Sequence, residues 1–172
     1  IKFLYKFEEN LNHIYKKENL NNEGFKHRIL EVFQDDFFSN SLLVENQIKS
    51  ELGDINLRGF ISIPSYNKVN QSYQFLFVNG RPVQDRGLSA VIRLSYRDTL
   101  PRGRHPLYCL MLDLSNDQID VNVHPTKLEV KFQNYEFLKS FVIKSITKAL
   151  QIKNNNKISK TFNISEISDN IP

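Results

Sequence analysis

Short apolar segments that look like strands alternate along the chain with segments that have the spacing of helices. The segments YQFLFV and LYCLMLD are strand-like, and the apolar residues between them recur every three to four positions. Because strands and helices are interspersed, we predict a mixed β-sheet with helices packed on it, of the α+β or α/β class. The predicted strands are 1–7, 11–17, 41–50, 54–63, 73–78, 107–113 and a pair within 120–132, and the predicted helices are 25–34, 86–98 and 135–150.

The composition is that of a soluble globular domain. The chain has 172 residues, of which 40% are hydrophobic and 24% are charged. No apolar run approaches the ~20 residues of a membrane span, and no signal peptide is present, so we expect a cytoplasmic protein without a membrane partner. We expect residues 1–150 to form one domain and residues 151–172, rich in Asn, Ser and Lys, to form a flexible linker or tail. Since the chain opens without Met in the middle of a strand pattern, we expect it to be a piece of a longer protein.

The cysteine and histidine content argues against metal and disulfide chemistry. Cys109 is the one cysteine and lies in a strand-like segment, so we expect a buried apolar residue in a reducing compartment. Cysteines and histidines are too few and too scattered for a structural zinc site, and we predict no metal ligand. We also find no nucleophile pattern, no P-loop and no glycine-rich dinucleotide motif, so we predict no catalytic residue in this chain.

Arginine is concentrated in one part of the chain. Six of the eight arginines lie between positions 81 and 104, whereas the 15 lysines are spread widely. Three of these arginines share one face of the predicted helix 86–98, opposite its apolar residues, and a guanidinium can bridge two phosphate oxygens. The pattern therefore favours a phosphate-binding surface, against the alternatives of a solvated helix face or internal ion pairs with Asp85 or Asp98. The six candidate residues are Arg81, Arg86, Arg93, Arg97, Arg102 and Arg104.

Two short motifs are expected to shape loops. Asn79-Gly80 is the dipeptide typical of a two-residue hairpin turn, and it places Arg81 directly after the turn. His124-Pro125 interrupts the strand pair within 120–132, because proline fixes its own φ and holds the preceding residue extended. Lys127 follows at this stiffened tip, where an ammonium is either a simple solvated charge or a contact for an anion.

The motifs FVNGRPVQD and DVNVHPTKLEVKF, followed by a closing helix, resemble the MutL family of DNA mismatch repair proteins. The resemblance is specific over residues 72–150 and looser over 1–71. It implies an α+β fold like domain 2 of ribosomal protein S5, which is the transducer half of the family's N-terminal ATPase region. It also implies that a GHKL-type ATPase domain, whose GFRGEAL motif is absent from this sequence, lies elsewhere in the protein.

The resemblance further implies roles for the motifs. Lys127 would contact the γ-phosphate of ATP, with ATP and Mg²⁺ held mainly by the ATPase domain, and the arginines would bind double-stranded DNA without sequence preference. The expected partners are DNA, the ATPase domain, a second copy joined through other domains, and the mismatch-recognition protein MutS, in a bacterial cytoplasm. On its own, the chain is expected to be no enzyme. The alternatives are an S5-like RNA-binding or ribosome-associated module and the transducer of another GHKL machine, such as a type II topoisomerase.

Overall fold

The computed structural model of the protein describes residues 29, 31–33, 36–51, 53–115, 119–120 and 131–168. Nine strands and three helices with defined bounds lie in these ranges, and Ile29 and residues 31–33 are also helical. The strands are β1 (Ser41–Ile48), β2 (Ile55–Ser62), β3 (Asn67–Lys68), β4 (Gln74–Val78), β5 (Arg81–Val83), β6 (His105–Pro106), β7 (Tyr108–Leu114), β8 (Ile119–Asp120) and β9 (Lys131–Phe132). The helices are α1 (Asp36–Ser39), α2 (Arg86–Leu94) and α3 (Tyr135–Ser168).

The main sheet has five strands in the order β1-β2-β7-β4-β5. Its neighbouring pairs are antiparallel except β4 and β7, which are parallel. A parallel pair needs a crossover connection, and α2 lies within the segment that joins β4 and β5 to β7. The predicted α+β architecture, a mixed sheet with helices packed on it, is therefore confirmed.

Both faces of the sheet are covered by apolar packing. Along β7, Leu110 and Leu112 belong to the core shared with α2 and α3, whereas Cys109 and Met111 pack on the other face with the helical residues near position 33. This alternation follows from the two-residue period of strand side chains. Cys109 is fully buried, as predicted, and burial raises the pKa of its thiol.

The turn between β4 and β5 forms as its sequence predicts. Asn79 has a φ of 46° and Gly80 a φ of 72°, the two left-handed conformations that a type I′ hairpin turn requires. The Asn79 side chain also binds the end of β7, since its Nδ2 donates to the carbonyl of Leu114 at 2.9 Å and its Oδ1 accepts from the amide of Leu114 at 2.7 Å. These bonds fix the direction in which the chain enters β5 at Arg81.

Two predicted segments differ from the structure. Helix α2 ends at Leu94 rather than at position 98. Helix α3 continues from Tyr135 to Ser168, past the predicted end at 150, because the sequence from 151 to 168 contains no glycine or proline to interrupt it. The role of 151–172 as a flexible linker or tail stays a prediction. In the ranges that the structure describes, no helix has the length and apolar character needed to cross a membrane.

The strand pair that frames the proline-containing tip is present at its base. Ile119 pairs with Phe132 and Asp120 with Lys131 in antiparallel register. The tip itself, with His124, Pro125 and Lys127, lies outside the described residues, as do the predicted strands 1–7 and 11–17.

Candidate nucleic-acid interface

Helix α2 separates an apolar face from an arginine-bearing face. Leu88, Val91 and Ile92 are buried in the core, as the helical spacing predicts. The helix begins where it does because Asp85 caps it, with its Oδ1 accepting from the amide of Leu88 at 2.7 Å. Because this carboxylate is occupied by the cap, Asp85 is not the ion-pair partner that was considered for the helix arginines.

The early end of α2 moves Arg97 off the predicted helical face. Beyond Leu94 the backbone forms hydrogen bonds between residues three positions apart. The amide of Tyr96 donates to the carbonyl of Arg93, and the amide of Arg97 donates to the carbonyl of Leu94. Tyr96 is fully buried and its hydroxyl donates to the carbonyl of Ser62 at 2.7 Å, which ties the chain to β2 at this point. This long-range anchor is a tertiary effect that the local spacing does not reveal.

The six arginines fall into two groups. Four side chains are exposed, and two are half-buried with hydrogen-bond partners. Among the exposed ones, Arg97 lies 3.4 Å from the carboxylate of Asp98, but both side chains are more than two-thirds exposed, so the pair contributes little to stability. The exposed residues are Arg81, Arg86, Arg97 and Arg102, and the half-buried ones are Arg93 and Arg104.

Arg104 connects its loop to the short strand β3. Its Nε donates to the side-chain oxygen of Asn67, and its Nη2 lies 3.5 Å from the Asn67 carbonyl. The polar segment 64–71 contains β3, which pairs with β6, and Lys68 lies over the rings of Tyr66 and Tyr73 at 5.7 and 5.9 Å. Arg104 therefore holds β3 beside its own loop. A contact between Arg104 and DNA stays a prediction.

A cleft of about 770 Å³ lies between α2 and the segment that follows β3. One helical stripe of α2 forms a wall, and an apolar floor comes from Leu76 and Val83, with Tyr108 also lining the cleft. The polar rim carries the amides of Gln71, Gln74 and Gln84. Of the described residues that line the cleft, Asp85 alone is acidic, and it is occupied as the helix cap. This wall consists of the cap residue Asp85 and of Arg86, Ser89, Ala90 and Arg93 of α2.

His105 is a cleft residue that the sequence alone did not single out. Its Nδ1 lies 3.0 Å from Nη1 of Arg93 and 3.4 Å from Nε2 of Gln71. Arginine has only donors, so Nδ1 must accept and the ring is neutral, with its proton on Nε2. Burial, and then the charge of Arg93, hold the pKa of His105 below its usual value of 6.5. The two-residue pairing of β3 with β6 places His105 here, and a pair that short leaves no periodic signal in the sequence.

Comparison with known proteins supports a single family. Residues 29–151 match the family described as DNA mismatch repair protein, C-terminal domain. The DNA mismatch repair protein MutL of Rickettsia bellii (strain RML369-C) is 39% identical over 130 residues, and that of Rickettsia canadensis (strain McKiel) is 38% identical over 130 residues. Each match covers 76% of this chain but 21% of the relative, so the chain spans about a fifth of the length of these curated relatives.

A solved structure supports the fold independently. A crystal structure of the N-terminal domain of a DNA repair protein superposes with a TM-score of 0.71 and 18% sequence identity, covering 88% of this chain and 54% of that one. The fold is consistent with the domain 2 architecture of ribosomal protein S5. Because the family match extends over most of the residues, the chain belongs to the DNA mismatch repair proteins and is a domain of the MutL type.

Proposed function

We propose that this MutL-type domain binds duplex DNA through its phosphates and couples that binding to ATP through Lys127. The observation that carries the DNA part is the division of α2, whose apolar side is buried while Arg86 and Arg93 project from the other side along one stripe. Arg81 is exposed at the start of β5, directly after the rigid turn, and adds a further guanidinium. Helix α2 and strand β5 thus place these arginines where a ligand in the cleft or at the surface can contact them.

Arginines in this arrangement suit a repeating phosphate backbone. Each guanidinium can donate two parallel hydrogen bonds to one phosphate, and contacts to phosphates carry no sequence information. Among the described residues that line the cleft, Arg86 and Arg93 outnumber the single carboxylate, that of Asp85, which also accepts the capping hydrogen bond of α2. Non-specific binding with strong salt dependence follows from these features.

The ATP part of the proposal rests on the HPTK tip and on family membership. The paired strands β8 and β9 hold Asp120 beside Lys131, the two described residues that flank the segment containing Lys127. Lys127 would contact the γ-phosphate of an ATP and Mg²⁺ bound by a separate ATPase domain of the same protein, so the chain alone supplies no catalytic residue. Because hydrolysis removes the γ-phosphate, this contact would exist with ATP and be lost with ADP, so it would distinguish the two bound states. Dimerisation through other domains and contact with MutS are further proposals that rest on the family alone.

The family assignment favours this function over the two alternatives. An RNA-binding or ribosome-associated module, or the transducer of a type II topoisomerase, would share the architecture but not the match over residues 29–151. Since fold alone does not define function, the arginine surface is the feature to test.

We expect Arg86→Gln to weaken duplex binding roughly tenfold at 0.1 M salt, because one phosphate contact contributes about 0.9 to the slope of log affinity against log salt. The loss should be the same for unrelated sequences, and the slope should become shallower by about 0.9. Fluorescence anisotropy with two duplexes of different sequence, at several salt concentrations, measures both quantities.

Lys144→Gln is the matched control, since it removes one exposed positive charge from α3. It should leave the affinity within about twofold of the parent chain. An Arg86→Gln variant that melts normally and keeps the parent affinity and slope would remove Arg86 from the interface.

A further inference from the structure

In the cleft, the imidazole of His105 accepts a hydrogen bond from Arg93 that the oxygen of a bound anion could accept instead. The neutral imidazole offers one lone pair on Nδ1, and Nη1 of Arg93 uses it at 3.0 Å. A phosphate oxygen offers the same kind of acceptor with a negative charge, which makes a charge-assisted and stronger bond. The guanidinium is therefore held in position for an acceptor that can replace the imidazole.

The charges around His105 are almost all positive. From α2 come Arg86, Arg93 and the cap residue Asp85, all of which line the cleft with His105. From β3 comes Lys68, which pairs with His105 in register, and Arg104 precedes His105 in the chain. The remaining titratable neighbour is Tyr108 of β7, whose pKa is raised to about 12 by burial, so it is neutral at physiological pH.

We propose that His105 is a positioning residue that takes up a proton when a DNA backbone phosphate enters the cleft, so that DNA binding by this domain is linked to pH. In the structure, Nδ1 of His105 accepts from Nη1 of Arg93. When a phosphate enters, one of its oxygens accepts from Nη1 of Arg93, and the freed Nδ1 takes up a proton from solvent. The Nδ1–H of the imidazolium then donates a hydrogen bond to the same phosphate while the proton stays on the ring. Formation of this N–H bond is the one bond change, and it reverses when DNA leaves and the proton returns to solvent. The inference rests on the proposed DNA-binding function and adds a residue and a proton to it.

The direction of the pH effect follows from linkage. In the free protein the proton is held weakly, because the surroundings favour the neutral ring. A bound phosphate favours the charged ring, so the complex holds the proton more tightly. Affinity for DNA should therefore rise as pH falls, by at most about tenfold per pH unit. The rise should occur between the pKa of His105 in the complex, which is the higher of the two, and its pKa in the free protein, which lies below 6.5.

Two measurements test the inference. The imidazole signals of the chain are followed by NMR from pH 4.5 to 8.5, alone, with inorganic phosphate and with a short duplex. Only four histidines are present, so the signal that disappears in His105→Gln identifies His105. We expect the duplex to raise the pKa of His105 by at least half a unit, and inorganic phosphate to do so at higher concentration, since it lacks the additional arginine contacts of a strand.

The second measurement is the ratio of duplex affinity at pH 5.5 to that at pH 8.0. We expect His105→Gln to lower this ratio by at least threefold relative to the parent chain, because glutamine cannot take up the proton. His27→Gln, which removes a different imidazole, should keep the parent ratio.

The outcomes separate this inference from the function on which it rests. If duplex binding persists with its salt dependence but the pKa of His105 does not move, or if His105→Gln keeps the parent ratio, the inference is wrong and the DNA-binding function stands. A pKa that responds to inorganic phosphate but not to the duplex would also overturn it, since the cleft would then be a site for a small anion. If no duplex binding is detected at any pH, both are wrong.

Discussion

Replacing Gly59 with alanine is expected to lower the free energy of unfolding by about 3–5 kcal/mol, as the sum of backbone strain and overpacking. Gly59 lies in β2, between Val44 of β1 and Leu110 of β7, with a φ of 142°. A Cβ at this position would lie 2.1 Å from the carbonyl oxygen of Cys109. That oxygen belongs to the backbone of a central strand, which is held on both sides and cannot move away without breaking the sheet.

Gly103→Ala is the matched control for this prediction. Gly103 also has a positive φ, of 72°, but a Cβ there would meet nothing within 4 Å. This substitution should lower the free energy of unfolding by only about 1–2 kcal/mol, the cost of an alanine in the left-handed conformation. Urea unfolding followed by circular dichroism compares the two variants with the parent chain. Equal losses at the two positions would show that the strand register around Gly59 is wrong.

In a full-length protein that contains this domain, Lys127→Ala is expected to lower ATP hydrolysis roughly ten- to a hundredfold. A charge-assisted hydrogen bond to phosphate contributes about 1.5–3 kcal/mol, and alanine removes it. The melting temperature should not change, because the sequence predicts a loop tip at Lys127 rather than a core position. Steady-state turnover and a thermal melt of the same preparation provide the two readings.

Lys144→Ala, a lysine exposed on α3, serves as the control and should retain the parent turnover. If Lys127→Ala melts normally and hydrolyses ATP at the parent rate, Lys127 has no part in the nucleotide site.

Features that local chemistry determines were predictable from the sequence. The Asn79-Gly80 turn needs only two residues that tolerate positive φ, and α2 begins after Asp85 because an aspartate cap and apolar spacing coincide there. The alternating burial of β7, with Cys109 on one side and Leu110 on the other, likewise follows from the period of a strand.

Features that depend on distant contacts were not predictable. Two residues past the end of α2, Tyr96 is hydrogen-bonded to Ser62, 34 positions away. The pairing of Asn67 with Pro106, and the contact of Arg93 with His105, likewise arise only after the sheet has assembled. Consequently the sequence indicated the arginines of the candidate interface, but not the cleft between them or the histidine beside Arg93. The position of Lys127 remains a prediction, because it lies outside the described residues.

The salt dependence of duplex binding by the parent chain tests the central claim most directly. If Arg81, Arg86 and Arg93 each neutralise one phosphate, log affinity should fall with log salt with a slope of about −2.7, which is ~0.9 for each contact. The slope should be equal for duplexes of unrelated sequence, since phosphate contacts do not read bases. A slope near zero, or binding that persists on one sequence and disappears on another, would contradict the assignment of this surface to the DNA backbone.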